Sequence, residues 1–115
     1  MCAADGGPTV QEALAAAAEV GVTKMIQVGC DVQGSRWAAK VASEYDDIWA
    51  AVALHPNEAP RIHASGGLTL LEAAWREIGE LAELPQVRAI GETGMDFFRT
   101  ETSGRAIQEE SFRFH

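Results

Sequence analysis

The sequence predicts an α/β fold with a parallel sheet, and two observations support this prediction. Short apolar runs alternate with longer segments whose apolar residues recur at helical spacing, which is typical of βαβ units. Polar residues directly follow two of these runs, His55 after the second and Glu92 after the third. The carboxyl ends of neighbouring parallel strands meet at one edge of a sheet, where α/β enzymes assemble their sites. We therefore expect His55 and Glu92 at the same edge.

The first half of the chain divides into a helix, a strand, a helix and a strand. Thr9 and Glu12 have the spacing of a capping box, which predicts a helix start, and Gly21 marks the helix end. The elements that follow are a strand, a helix and a strand, predicted over residues 24–30, 32–45 and 48–54.

The second half is predicted to open with a loop rich in Pro and Gly after His55. A second capping-box pattern, Thr69 to Glu72, then starts a helix that Pro85 ends. A third strand over residues 87–92 follows. A polar loop over residues 100–104 leads into a last amphipathic helix. Helical crossovers between successive strands predict a right-handed, parallel arrangement.

The composition is that of a soluble globular protein, with 47% hydrophobic and 23% charged residues. No apolar run approaches the roughly 18 residues that cross a bilayer, so we expect no membrane partner. The net charge of −8 weighs against capture of a nucleic-acid backbone, because that affinity comes from Lys and Arg contacts. A nuclease is still compatible with this charge, since divalent cations in a site carry positive charge of their own.

The two cysteines do not predict a metal site or a disulfide framework. Cys2 falls in a predicted N-terminal loop and Cys30 at a strand end, and they do not have zinc-type spacing. The N-terminus also lacks the basic and apolar regions of a secretory signal. We therefore expect a cytoplasmic location.

Two motifs resemble the TatD family of metal-dependent deoxyribonucleases. Residues 55–59, HPNEA, resemble the family's HPxxA-like segment, and residues 91–99, GETGMDFFR, resemble its GExGxD motif with the aromatics and Arg that follow. Residues 24–31 look like the family's second strand and the helix start after it. Further on, the family's QxxxFxxQ/H spacing is matched by Gln108, Phe112 and His115.

The resemblance implies a partial TIM (β/α) barrel of the metallo-dependent hydrolase type that hydrolyses DNA phosphodiester bonds. It implies two divalent ions, Mg, Mn or Zn, with Glu92 as a metal ligand. His55 is implied to contact the substrate and to support catalysis with Glu92. Asp96 and Arg99 are further candidates for substrate binding, because Arg suits bidentate contact with a phosphate.

The chain is shorter than a whole barrel. It has 115 residues, whereas an eight-stranded barrel needs about 250. We therefore expect residues 1–115 to form a single incomplete hydrolase domain with three strands and their helices. The family's first-strand Asp-x-His-x-His motif and its later His and Asp ligands are not present, so we expect this chain to be inactive alone. Unpaired strand edges predict self-association.

Simpler interpretations remain open for the candidate residues. Glu92 could cap a loop or pair with Arg99, and His55 could be a loop histidine bonded to nearby backbone. Asp96 and Arg99 could form an ion pair with each other. Aromatic residues after a strand are usually core, so we expect Phe97 and Phe98 to be buried rather than to stack on a base. His63 is expected in a solvated loop, and His115 in a structural role.

Two other functions stay in competition with the deoxyribonuclease hypothesis. A related metallohydrolase could act on small-molecule esters, amides or lactones, which an acidic protein accommodates readily. A non-catalytic folding or interaction unit is the second alternative, and the missing histidine motif favours it.

Overall fold

The computed structural model describes residues 6–115, so the predicted loop around Cys2 lies outside the described residues. The elements in chain order are α1 (Val10–Glu19), β1 (Met25–Val28), α2 (Val32–Glu44), β2 (Ile48–Val52), α3 (Glu58–Ala82), β3 (Val87–Ile90) and α4 (Thr102–Phe114). Strands and helices alternate as the sequence predicts.

The three strands form one parallel sheet in the order β1-β2-β3. Met25 pairs with Ile48 at the start of β1, and Val52 pairs with Ile90 at the end of β3. The predicted α/β class and parallel sheet are confirmed. Among the described residues the sheet is open, and a barrel is not formed.

The helix starts follow the capping chemistry of the sequence. Thr9 Oγ1 accepts a hydrogen bond from the Glu12 amide, and the Glu12 carboxylate accepts one from the Thr9 amide, which completes the predicted capping box. The Asp31 carboxylate accepts a hydrogen bond from the Gly34 amide at the start of α2. These caps fix where the chain turns from loop to helix.

The prediction of a loop after His55 is wrong, because residues 58–66 are helical. α3 begins at Glu58 and continues past a break at Gly67, which has φ 70 and ψ −166. A positive φ is unstrained only for glycine, so the helix can change direction there without a loop. The predicted start at Thr69 is therefore too late, and His63 lies on a helix. The last helix likewise begins at Thr102, inside the predicted polar loop.

The core lies between the sheet and the helices α2 and α3. Val52 and Ile78 are fully or almost fully buried, and Trp75 joins them from α3. Trp75 also stacks on Phe114 of α4, with ring centroids 5.3 Å apart, and its Nε1 donates to Ser111 Oγ. These contacts attach α4 to α3 and bring its C-terminal end towards the end of β2.

The chain between β2 and His55 is held by three different parts of the molecule. Ser35 Oγ of α2 donates to the Ala53 carbonyl and accepts from the Ala53 amide. The Leu54 amide donates to His115 Nε2 of α4, and the His55 amide donates to the Cys30 carbonyl. Every backbone amide from 53 to 55 is therefore satisfied outside the β-ladder.

Gly29 lets α2 approach the sheet at this edge. A Cβ built on Gly29 would lie 2.4 Å from both the amide nitrogen and the Cα of Ser35. Backbone atoms cannot move aside as a flexible side chain can, so only glycine permits this approach. The close contact places Ser35 against the end of β2.

Among residues 6–115, no helix is both long and apolar enough to cross a membrane.

Candidate functional site

His55 and Glu92 lie at the same edge of the sheet, as the sequence predicts. His55 follows β2 and Glu92 follows β3, and His55 Nε2 lies 3.6 Å from Glu92 Oε1. The Glu92 side chain is 64% exposed, whereas the His55 side chain is 24% exposed. A separation of 3.6 Å is longer than a hydrogen bond. The carboxylate therefore keeps its oxygens available to a further group.

The backbone fixes the tautomer of neutral His55. The Asn57 amide donates to His55 Nδ1 at 3.2 Å, so Nδ1 is an acceptor. The proton of the neutral ring must then lie on Nε2, the nitrogen that faces Glu92. In this tautomer, Nε2 donates a hydrogen bond and has no lone pair for a metal ion. The geometry thus agrees with a substrate-contacting histidine better than with a ligand.

Asp96 is engaged within the protein. Its Oδ2 accepts from Asn57 Nδ2 at 2.8 Å, and its Oδ1 accepts from the Phe98 amide. The hydrogen bond from Asn57 is the main reason that the pKa of Asp96 lies below its usual value. Among residues 6–115, Asp96 forms no side-chain ion pair with Arg99. Asp96 therefore joins the loop after β3 to the start of α3, and a substrate contact by Asp96 stays a prediction.

Gln108 and Thr100 complete this connection. Gln108 is completely buried, and its Oε1 accepts from the Asp96 amide. The two hydrogens on its Nε2 are shared among three acceptors, Thr100 Oγ1, the Asp96 carbonyl and Asn57 Oδ1. Thr100 Oγ1 in turn donates to Asn57 Oδ1. We call Asn57, Asp96, Thr100 and Gln108 the bridging network.

The bridging network is not evident from the amino-acid sequence. In the sequence, Asn57 stands out only as part of the HPNEA segment and Gln108 only for its spacing. The signal is the burial of Gln108, because a buried amide requires hydrogen-bond partners, and the sequence around Gln108 does not reveal that burial.

The expected burial of Phe97 and Phe98 is wrong. Phe98 is 93% exposed and Phe97 is 46% exposed. The loop after β3 leaves the sheet edge, where no described side chain covers Phe98. The Arg105 guanidinium lies over the Phe97 ring, 4.7 Å from the ring centroid. Both rings are thus available as contact surfaces in the loop that follows Glu92.

Cys30 also lies at this edge and is exposed as a residue. Partial desolvation of the thiol raises its pKa, and the nearby carboxylates of Glu92, Asp31 and Glu58 raise it further. The thiol is therefore protonated at neutral pH. This state does not suit a nucleophile, which must be a thiolate.

An open cleft of about 870 Å³ adjoins His55. Its walls come from the first turns of α3 and from the segment that leads into α4. His55, His63, Arg61 and Arg99 line it, whereas Glu92 does not. Arg61 is paired with Glu58, but Arg99 forms no side-chain hydrogen bond or ion pair within residues 6–115. The cleft therefore offers one unengaged guanidinium beside the candidate site.

The described residues are of the right type for a divalent metal but too few to enclose one. Divalent cations such as Mg²⁺ prefer carboxylate oxygens and take about six ligands. Glu92 supplies an exposed carboxylate. Across residues 6–115, no group of three or more His, Cys, Asp or Glu side chains could hold a metal ion. Glu92 can thus serve as one ligand of a site whose other donors are not found among these residues.

The fold and this edge define an α/β protein with a candidate functional site at the carboxyl ends of its parallel strands. A family model described as TatD related DNase matches residues 3–115. The chain belongs to this family.

The curated relatives carry names of the same kind. A Mycobacterium tuberculosis protein named as an uncharacterized metal-dependent hydrolase TatD is 35% identical over 118 residues, covering 99% of this chain and 42% of that protein. The Escherichia coli protein named 3'-5' ssDNA/RNA exonuclease TatD is 32% identical over 101 residues, covering 88% of this chain and 35% of that protein. The chain therefore spans less than half the length of these relatives.

Proposed function

We propose that this chain supplies one edge of a metal-dependent nuclease site that hydrolyses phosphodiester bonds in DNA. The observation that supports it most is the 3.6 Å approach of His55 to Glu92 at the carboxyl end of two parallel strands, in a chain of the TatD family. In this proposal Glu92 is a catalytic residue that contributes a carboxylate to metal binding. When bound, divalent ions supply positive charge that offsets the charge of the phosphate.

His55 acts in this proposal as a hydrogen-bond donor. Its Nε2–H, fixed by the Asn57 amide at Nδ1, faces the space beside Glu92. A phosphate oxygen or a departing oxygen in that space would accept this hydrogen bond, and the proton would stay on Nε2. The low exposure of His55 strengthens such an interaction, because less water competes for the donor.

Three features favour single-stranded nucleic acid as the substrate. The exposed ring of Phe98 offers a surface on which an unpaired base can stack. Arg99 lines the cleft next to His55 and can bind a neighbouring phosphate through two parallel hydrogen bonds. Several relatives are named as 3'-5' ssDNA/RNA exonucleases.

The test uses a chain extended with the segments that the relatives carry outside the matched region. We expect it to degrade labelled single-stranded DNA with Mg²⁺, Mn²⁺ or Zn²⁺ and to be blocked by a chelator. Glu92→Ala should lower the rate by more than about 100-fold and His55→Ala by about 10-fold to 100-fold, since a direct ligand matters more than a supporting group. Residues 1–115 alone should be inactive.

Glu83→Ala is the matched control, because Glu83 is an exposed glutamate at the far end of α3. It should keep the parent rate. If the extended chain hydrolyses a small ester and leaves DNA intact, the nuclease proposal is wrong and the protein is a small-molecule hydrolase. Full activity of Glu92→Ala would show that the site is assigned to the wrong residues.

A further inference from the structure

We propose that Gln108 and Thr100 are positioning residues, which act through Asn57 to hold His55 as an Nε2–H donor facing Glu92. This inference rests on the proposed function for its catalytic meaning. Its structural part concerns only the tautomer and orientation of His55, which can be measured without any activity.

The bridging network joins the two loops that carry the candidate site. Asn57 lies two residues after His55, and Asp96 lies four residues after Glu92. Asn57 Nδ2 donates to Asp96 Oδ2, and Asn57 Oδ1 accepts from Thr100 and Gln108. All polar atoms of the Asn57 amide group are therefore engaged with the loop after β3 or with α4. The position of Asn57 depends on these partners.

Gln108 is the fixed point of this arrangement. It is 0% exposed, it lies on α4, and it contacts Asp96, Thr100 and Asn57. Buried side-chain amides hold one geometry because any other leaves a polar atom without a partner. No buried side-chain nitrogen or oxygen within residues 6–115 lacks a hydrogen bond. The network is thus fully satisfied in this one arrangement.

Asn57 transmits this geometry to His55 through its backbone. The Asn57 side chain makes no capping hydrogen bond to α3, because its polar atoms are used in the network. The same residue donates its amide to His55 Nδ1. Loss of the network would free the Asn57 backbone to rotate, and His55 would then exchange between its two neutral tautomers. A donor that faces Glu92 only part of the time would be a weaker catalyst.

The test is ¹⁵N NMR of the histidine rings in residues 1–115 at about pH 8.5, where imidazoles are neutral. In the parent chain we expect His55 to show a protonated Nε2 and an unprotonated Nδ1, with widely separated resonances. Gln108→Met removes the amide at nearly constant shape, and Thr100→Val removes only the hydroxyl. Both should bring the two His55 resonances closer together as the tautomers mix.

Controls separate this effect from general loosening. Thr100→Ser keeps the hydroxyl, and Gln11→Met changes an exposed glutamine on α1, so both should keep the parent His55 spectrum. His115 provides an internal reference, because its Nε2 accepts from Leu54 and its Nδ1 faces the Ser111 carbonyl, which fixes the opposite tautomer. Its resonances should not change in Thr100→Val.

The outcomes decide the proposal in each case. An unchanged His55 spectrum in folded Thr100→Val overturns it, and so does a parent chain in which His55 shows no Nε2–H preference. Thr100→Val carries the test by itself if Gln108→Met does not fold. The two proposals can also fail separately. If the His55 tautomer responds to the network but the extended chain leaves DNA intact, the nuclease function is refuted and the positioning role stands.

Discussion

His115 joins α4 to the end of β2 through both of its ring nitrogens. Nε2 accepts from the Leu54 amide at 3.1 Å, and Nδ1 lies 2.7 Å from the Ser111 carbonyl, to which it donates. Protonation of Nε2 would remove the acceptor of the Leu54 amide. The expected structural role of His115 is confirmed by these contacts.

The first prediction concerns the pH dependence of stability that this contact creates. Burial lowers the pKa of His115 below 6.5, and the Ser111 carbonyl opposes this shift in part. The unfolded chain therefore binds the proton first as the pH falls. The contribution of His115 to the free energy of unfolding is complete above about pH 6.5. It is lost as the pH falls from there through the lower pKa of His115 in the folded state.

The measurement is the urea midpoint of residues 1–115 at about pH 7.5 and about pH 5.5, a window in which histidines titrate. The midpoint should fall less between these values in His115→Gln than in the parent chain. His63→Gln removes a histidine that makes no described hydrogen bond and should keep the parent dependence. Equal pH dependence in the His115 variant and the parent would contradict the assignment.

At the scale of elements, the end of β2 depends on α2 as much as on its neighbouring strands. Ser35 is completely buried and satisfies both backbone groups of Ala53, which is itself buried. Gly29 permits this contact by allowing the first turn of α2 against the sheet. Helix α2 thus supplies hydrogen-bond partners for the backbone groups of Ala53, which lies beyond the last residue of β2.

The second prediction follows for Ser35→Ala. The substitution leaves the buried Ala53 amide and carbonyl without partners, so we expect a loss of about 1–3 kcal/mol in the free energy of unfolding. Ser43→Ala is the matched control on the same helix, since its hydroxyl donates to the Lys40 carbonyl at an exposed position. It should change stability by less than about 0.5 kcal/mol. Denaturant midpoints that fall equally in both variants would refute the role of Ser35.

At the scale of the whole molecule, the sheet has one face that the helices do not cover. Ile26 is 62% exposed and Val28 is 44% exposed on this face of β1. Trp49 pairs with Ile26 in the adjacent strand, and the Arg88 guanidinium lies 4.5 Å from its ring centroid. Along its outer side β1 also presents backbone groups that no described strand pairs. Such edges and apolar surfaces promote association.

The third prediction is that residues 1–115 self-associate through this face as their concentration rises. Ile26→Asp should shift the sedimentation profile towards monomer, because it places a charge on the apolar surface. Val20→Asp changes an exposed apolar residue outside the sheet and should leave association unchanged. A parent chain that stays monomeric at high concentration and melts in one sharp transition would show that the uncovered face does not promote association.

The sequence predicted the order of elements and the edge at which His55 and Glu92 meet. Both depend on short-range patterns, namely apolar periodicity and the position of a polar residue after a strand. The helical turns at residues 58–66 were missed because Pro60 and the glycines that follow suggest a loop, whereas Pro is compatible with the first turn of a helix.

The bridging network and the exposure of Phe98 could not be predicted in the same way. Gln108 contacts Asn57 across fifty-one positions of sequence, and nothing in the local pattern of either residue indicates the other. The burial of an aromatic ring depends on what packs against it, which the sequence of its own loop does not specify. Long-range contacts therefore set the details of the site.

The supports of the segment before His55 also imply an order of assembly during synthesis. Ser35 is eighteen positions from Ala53, so this contact can form as soon as β2 leaves the ribosome. His115 is sixty-one positions from Leu54, and closing the longer loop costs more entropy. A nascent chain would thus carry His55 on a half-anchored segment until α4 has been made. Contacts of such high sequence separation also slow folding, so the candidate site should mature last.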